Sequence, residues 1–83
     1  MLTQRQLAKL RVADADYLAR WKESGRKTAF WFCDHCNSSI ETTRPRRKDV
    51  HPGGCWDSLK TCTNCGNFSM VQVFPSGKTV ART

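Results

Sequence analysis

The sequence predicts a small α+β domain: one N-terminal amphipathic helix, then three or four short antiparallel strands, held together by cysteines. Three observations lead there. The apolar period changes from helical to alternating near residue 26. Five cysteines stand in only 83 residues, four of them as two C-x-x-C pairs. A chain of this length buries only about 60% of the surface it exposes when unfolded, so its core needs a staple.

The helix is expected over residues 3–24, within an N-terminal segment of 1–26 that leads into a domain at 27–83. Thr3-Gln4-Arg5-Gln6 fits a capping box, in which the Thr hydroxyl and the Gln amide satisfy backbone groups at the helix start. Leu7, Leu10, Tyr17, Leu18 and Trp21 recur at three- and four-residue steps and so share one face. Ser24-Gly25 supplies the stop. Asp14 falls near the middle of the apolar stripe, which demands either a basic partner or incomplete cover. The stripe has two uses: docking on the rest of the domain, or meeting a partner or second copy through Leu7, Leu10, Tyr17 and Trp21. Arg5, Lys9 and Arg20 lie opposite, mixed with Asp16 and Glu23 as on an ordinary solvated surface.

After Arg26 come the strands. Lys27 to Phe32 is a short β run delivering the chain into Cys33, and Ser38 to Thr43 is a second, β-branched one. Residues 44–58 carry two Pro and two Gly and read as a loop. Leu59 to Thr61 leads into the second cysteine pair, and Phe68 to Phe74 is the clearest strand. Phe74-Pro75-Ser76-Gly77 forms a turn with Pro at its favoured second position, after which residues 78–82 return as a partner strand.

Cys33-Asp34-His35-Cys36 and Cys62-Thr63-Asn64-Cys65-Gly66 are separated by 25 residues. A two-residue spacer turns both sulfurs of a pair toward one ion, and two such turns facing each other complete a tetrahedral four-sulfur shell, the closed arrangement of structural zinc. The fold class is therefore a metal-stabilised one, with one structural zinc ion on Cys33, Cys36, Cys62 and Cys65. Facing C-x-x-C pairs also hold a redox iron in typically acidic proteins, and disulfides form in oxidising compartments; a basic chain without a signal peptide fits neither as well. A full four-thiolate shell leaves no open position for catalysis. Gly66 suits the left-handed turn after its pair, with Asn37 in the matching place a less apt residue. His35 points to solvent, and His51 and Cys55 stand outside the shell, Cys55 as a partly buried residue beside Trp56.

On these residues, residues 27–83 resemble the zinc-ribbon superfamily, whose members carry two C-x-x-C knuckles on β-hairpins. The layout is similar to the stand-alone ribbons of small phage and bacterial regulators. That resemblance fits a regulatory binding role, and no enzymatic one is expected because nothing in the sequence resembles a base–nucleophile pair; the helix lies outside the resemblance.

Lys and Arg outnumber Asp and Glu by 14 to 7, a formal +7. Such a balance points to a polyanion or an acidic protein surface as partner. Arg44, Arg46, Arg47 and Lys48 cluster in the loop, where they can reach phosphates, dock on an acidic protein, or simply solvate. Trp56 follows them as the best candidate for stacking on an unpaired base, with Trp31 and the 68–74 strand behind it. No run of about 18 apolar residues exists, so no membrane span is expected, and the expected compartment is the cytoplasm. The functional expectation is nucleic-acid binding that modulates transcription or translation. The alternative is docking on a larger nucleic-acid-processing machine such as a polymerase or nuclease.

Overall fold

A computed structural model describes residues 2–82. Met1 and Thr83, the outer limits of the expected segments 1–26 and 27–83, lie outside the described residues. Helix α1 runs over Gln4–Glu23. Its capping box forms as the sequence predicts: the Thr3 hydroxyl accepts from the Gln6 amide at 3.2 Å, and the Gln6 side chain accepts from the Thr3 amide at 2.8 Å. Gly25, at φ 83°, ends the helix and donates its amide to the Lys22 carbonyl.

Five strands follow: β1 (Thr28–Phe32), β2 (Ser39–Thr43), β3 (Trp56–Thr61), β4 (Phe68–Val73) and β5 (Thr79–Arg82). They form a β1-β2 hairpin and a three-stranded antiparallel sheet in the order β3-β4-β5. The strand beyond the expected three or four is β3. Only its last residues are strand-like by pattern, because Trp56 to Ser58 carries no alternating apolar period and extends by pairing with Val73 to Val71. The remaining loop carries a single 3-10 turn at Arg47–Asp49.

Alternation sorts each strand. Ala29 and Trp31 of β1 point inward and join Ile40, Val71, Val73, Cys33 and Cys62 in one core, with Trp31 only 1% exposed. Trp31 is therefore core, not a stacking platform. The opposite faces carry exposed apolar residues: Phe30 and Phe32 on β1, and Leu59, Phe68 and Met70 on the three-stranded sheet. A hydrogen bond from Thr79 Oγ1 to the Phe30 carbonyl, 2.7 Å long, ties the two sheets.

The helix docks on this framework. Leu7 and Leu18 are buried, Leu10 is half-buried, and Tyr17 stays exposed. Arg11 Nε donates to the Thr63 carbonyl at 2.7 Å, and Lys22 pairs with Glu41 on β2. The Trp21 ring meets Trp56 edge-on at 6.1 Å, donates its indole N–H to the Lys27 carbonyl, and carries the Arg26 guanidinium 4.1 Å above it. Asp14 resolves both ways at once. Partial burial raises its pKa, while the charge of Lys60 across from it works in the other direction.

Docking through the Leu7 end of the stripe makes a direct prediction. Leu7→Ala lowers the unfolding free energy of the metal-loaded protein by about 3 kcal/mol. Val12→Ser, at a position 72% exposed, changes it by less than about 0.5 kcal/mol. Denaturant midpoints of the two variants, measured side by side, check this.

Candidate metal centre and basic pole

The two cysteine turns are built alike. In the first, the Cys33 amide donates to the Ser38 carbonyl at 3.0 Å and the Asn37 amide to the Cys33 carbonyl at 2.8 Å. In the second, the Cys62 amide donates to the Asn67 carbonyl and the Gly66 amide to the Cys62 carbonyl, both at 2.8 Å. Asn37 and Gly66 occupy matching positions and both adopt left-handed backbone, at φ 58° and 83°. Asn tolerates that region among non-glycine residues, so the first turn closes as tightly as the second.

This repetition brings four sulfurs together from the ends of two hairpins. The ligand atoms of Cys33, Cys36, Cys62 and Cys65 all lie within 4.8 Å of one another. The pairs Cys33–Cys65 and Cys36–Cys62 are 3.6 and 3.7 Å apart. Metal–sulfur bonds of about 2.3 Å in a tetrahedron require edges of about 3.8 Å, so the donors sit at the spacing of a four-thiolate shell. They can hold a metal ion. Among the described residues this cluster contains neither His51 nor Cys55, and His35 is exposed within its turn.

Polar side chains around the sulfurs prepare them for a cation. Asn64 Nδ2 donates to Cys36 Sγ at 3.5 Å and to Ser38 Oγ at 2.8 Å, which leaves the Ser38 hydroxyl hydrogen for Cys36 Sγ, 3.3 Å away. These bonds, that of Asn64 foremost, pull the Cys36 thiol down to about 5. In the second turn Asn67 stands where Ser38 does in the first; its Nδ2 lies 3.2 Å from Cys65 Sγ and lowers that thiol as well. Burial pushes Cys62 up to about 12. The helix is also fixed here, since Arg11 takes the carbonyls of Thr63 and Asn64 in the second turn.

The strands carry charge to their other ends. Both knuckles lie where β1 ends and β2 begins, and where β3 ends and β4 begins. At the opposite ends stand Arg26 and Lys27 before β1, Arg44, Arg46, Arg47 and Lys48 after β2, and Lys78 before β5. Seven of the 14 basic residues thus gather at one pole. Three short segments supply them, and these contain one carboxylate, Asp49.

Within that pole the predicted cluster divides. Arg44 is half-buried, and its Nε donates to the Pro75 carbonyl at 2.7 Å, locking the loop to the β4-β5 turn. Arg46 grips Asp49 with its side chain and its own amide, and Arg26 reaches the same carboxylate at 2.9 Å. Arg47 and Lys48 remain exposed. Trp56 is half-buried in β3 and packs against Trp21, whereas its sequence neighbourhood places it loose beside the cluster. Sequence reasoning missed Arg26, Lys27 and Lys78 as members of the pole. The hairpin register was the available sign, because strands that leave one knuckle must all end on the far side.

The chain matches no family model, and no curated protein or solved structure matches it. No described helix is long and apolar enough to cross a membrane.

Three outcomes follow for the metal. Metal uptake displaces protons from thiols, so affinity falls as pH is lowered. Cys62 holds its proton through the neutral range and alone contributes about tenfold per pH unit. Chelator competition should therefore show affinity about a hundredfold weaker, or more, at pH 6 than at pH 8. Asn64→Ala, which leaves all four sulfurs in place, weakens affinity by about tenfold to a hundredfold in the same assay. Cys62→Ser removes a sulfur and unfolds the domain, seen as loss of the folded far-UV spectrum.

Proposed function

We propose that the chain is a zinc ribbon whose single zinc ion is structural and whose basic pole binds nucleic acid, in a regulatory role in transcription or translation. Zinc is the ion that best suits four thiolates: it is borderline-soft, indifferent to redox state and content with a closed tetrahedral shell. With four thiolates and Zn²⁺ the formal charge falls from +7 to about +5, so the protein stays basic when loaded. The observation that carries the nucleic-acid reading is the convergence of Arg26, Lys27, Arg44, Arg46, Arg47, Lys48 and Lys78 at the end of the strands away from the zinc. Cations gathered from three segments on a rigid base release counterions when they meet a phosphate chain. Arg47 and Lys48, free of internal partners among the described residues, are the residues most available to phosphates.

A second reading is favoured by a different surface. Leu59, Phe68 and Met70 are 63, 54 and 44% exposed on the outer face of the β3-β4-β5 sheet. Such a face suits a protein partner, and an adaptor could grip a larger nucleic-acid-processing machine with it. On the helix face that the sequence offers for the same role, Leu7 is taken up by docking and Tyr17 is the residue left open.

Replacing Arg47 and Lys48 with Ala tests the first reading. Nucleic-acid affinity falls uniformly across sequences, and the slope of log affinity against log salt drops by about one for each phosphate that is no longer neutralised. A slope that does not move counts against the pole. Leu59→Ser and Met70→Ser leave that slope alone while removing capture of a protein partner, if the second reading holds.

A further inference from the structure

Two clefts open side by side on the basic pole, and Pro75 lines both. The smaller, about 270 Å³, is edged by Arg26, Lys27, Arg44 and Arg46. The larger, about 460 Å³, lies between the Val50–Gly54 loop and the turn at Phe74–Ser76, with Arg47 at its rim. Their chemistries differ. One offers guanidinium and ammonium donors, the other the apolar surfaces of Val50, Phe74 and Pro75 with the His51 ring and the Ser76 hydroxyl among them.

Both clefts are held open by local structure. The Gly54 amide donates to the His51 carbonyl at 2.7 Å, and a Cβ at Gly54 would come within 2.9 Å of that same oxygen, so the loop admits only glycine there. Across the cleft, Phe74 accepts the Gly77 amide on its carbonyl and donates its own amide to the Lys78 carbonyl, closing the turn. The Arg44–Pro75 bond fixes the wall common to both clefts. Arg46 is held by Asp49, and Arg26 by Asp49 and the Trp21 ring. Preformed walls reduce the ordering cost of binding.

Resting on the nucleic-acid reading above, we propose that these clefts form one site for an unpaired nucleotide. The base enters the larger cleft, against Phe74, Pro75 and His51, and its phosphate enters the smaller one, among Arg26, Lys27, Arg44 and Arg46. Charge selects the backbone and the apolar cleft selects a base turned out of any stack. The occupant is single-stranded nucleic acid, because a duplex keeps its bases stacked and paired.

The experiment uses the metal-loaded protein and three labelled probes: an oligothymidylate of about ten nucleotides, an abasic strand of the same length and charge, and a duplex of that length. Fluorescence anisotropy at fixed salt should give the oligothymidylate an affinity about tenfold above the abasic strand. Phe74→Ala should bring oligothymidylate down to the abasic level while leaving abasic binding unchanged. Phe74→Leu, which keeps an apolar filler in the turn and loses the ring, should do the same and guards against a merely unfolded variant. Equal affinity for the abasic and base-bearing strands overturns the base cleft while leaving nucleic-acid binding intact. So does a Phe74 effect equal on both probes, or a duplex bound as tightly as the single strand. No binding of any probe overturns this site together with the reading it rests on.

Discussion

The structure depends on the four sulfurs of Cys33, Cys36, Cys62 and Cys65, which bring the turns of two hairpins together at the edge of the core that those hairpins share. Among the described residues the β1-β2 hairpin and the β3-β4-β5 sheet share no backbone ladder; side-chain hydrogen bonds from Thr79 to the Phe30 carbonyl and from Asn64 to Ser38 join them. The buried core beside the cluster is small, and two of its members, Cys33 and Cys62, are themselves donors. In a chain this short the conformational entropy of folding nearly cancels what burial returns. A metal ion held by the four thiolates would supply on the order of 10 kcal/mol, enough to close that gap. Core and metal site are one structure, and the helix joins it by placing Arg11 on the carbonyls of the second knuckle and Leu7 beside Gly66.

How legible this was depended on the range of the interactions concerned. Helix limits, the capping box, the Ser24-Gly25 stop and the 74–77 turn are decided by residues within four positions of one another, and sequence reading found them to within a residue or two. The cysteine spacing was equally local within each turn, and the shell needed only the pairing of two such turns. The failures are long-range. Trp56 read as loop because nothing in its neighbourhood is strand-like; Val73 and Trp21, distant in sequence, make it the start of β3 and bury half of it. Arg44 read as a free cation because its partner, the Pro75 carbonyl, lies 31 residues on. Asn37 read as a less apt residue than Gly for its turn, yet it adopts the left-handed backbone that the turn imposes.

The antiparallel register makes the protein bipolar. A strand that leaves a knuckle delivers its far end to the same side as its neighbour, so the metal centre and the basic pole are set apart by a strand's length. Separation suits the electrostatics of both. A four-thiolate shell around a divalent ion carries a net negative charge of about two. Guanidinium groups beside it would be drawn to the sulfurs and lost to any other anion, whereas a strand's length away they keep their field.

Asp49 then decides how that field is presented. Hydrogen bonds from the Arg46 side chain and amide, with the charge of Arg26 near by, hold its carboxyl down to about 2. A depressed folded pKa means that its contribution to stability is complete above the ordinary value of 3.8 and is lost only as pH falls toward about 2. Across the range in which thiolates can keep a metal, Asp49 is therefore a fixed charge. Arg26 and Arg46 are both bonded to it, and a guanidinium already bonded gives up less entropy on meeting a ligand. Arg47 and Lys48, which Asp49 does not hold, are exposed and reach outward. One carboxylate thus fixes Arg26 and Arg46 and the Pro75 carbonyl fixes Arg44, while Arg47 and Lys48 stay exposed.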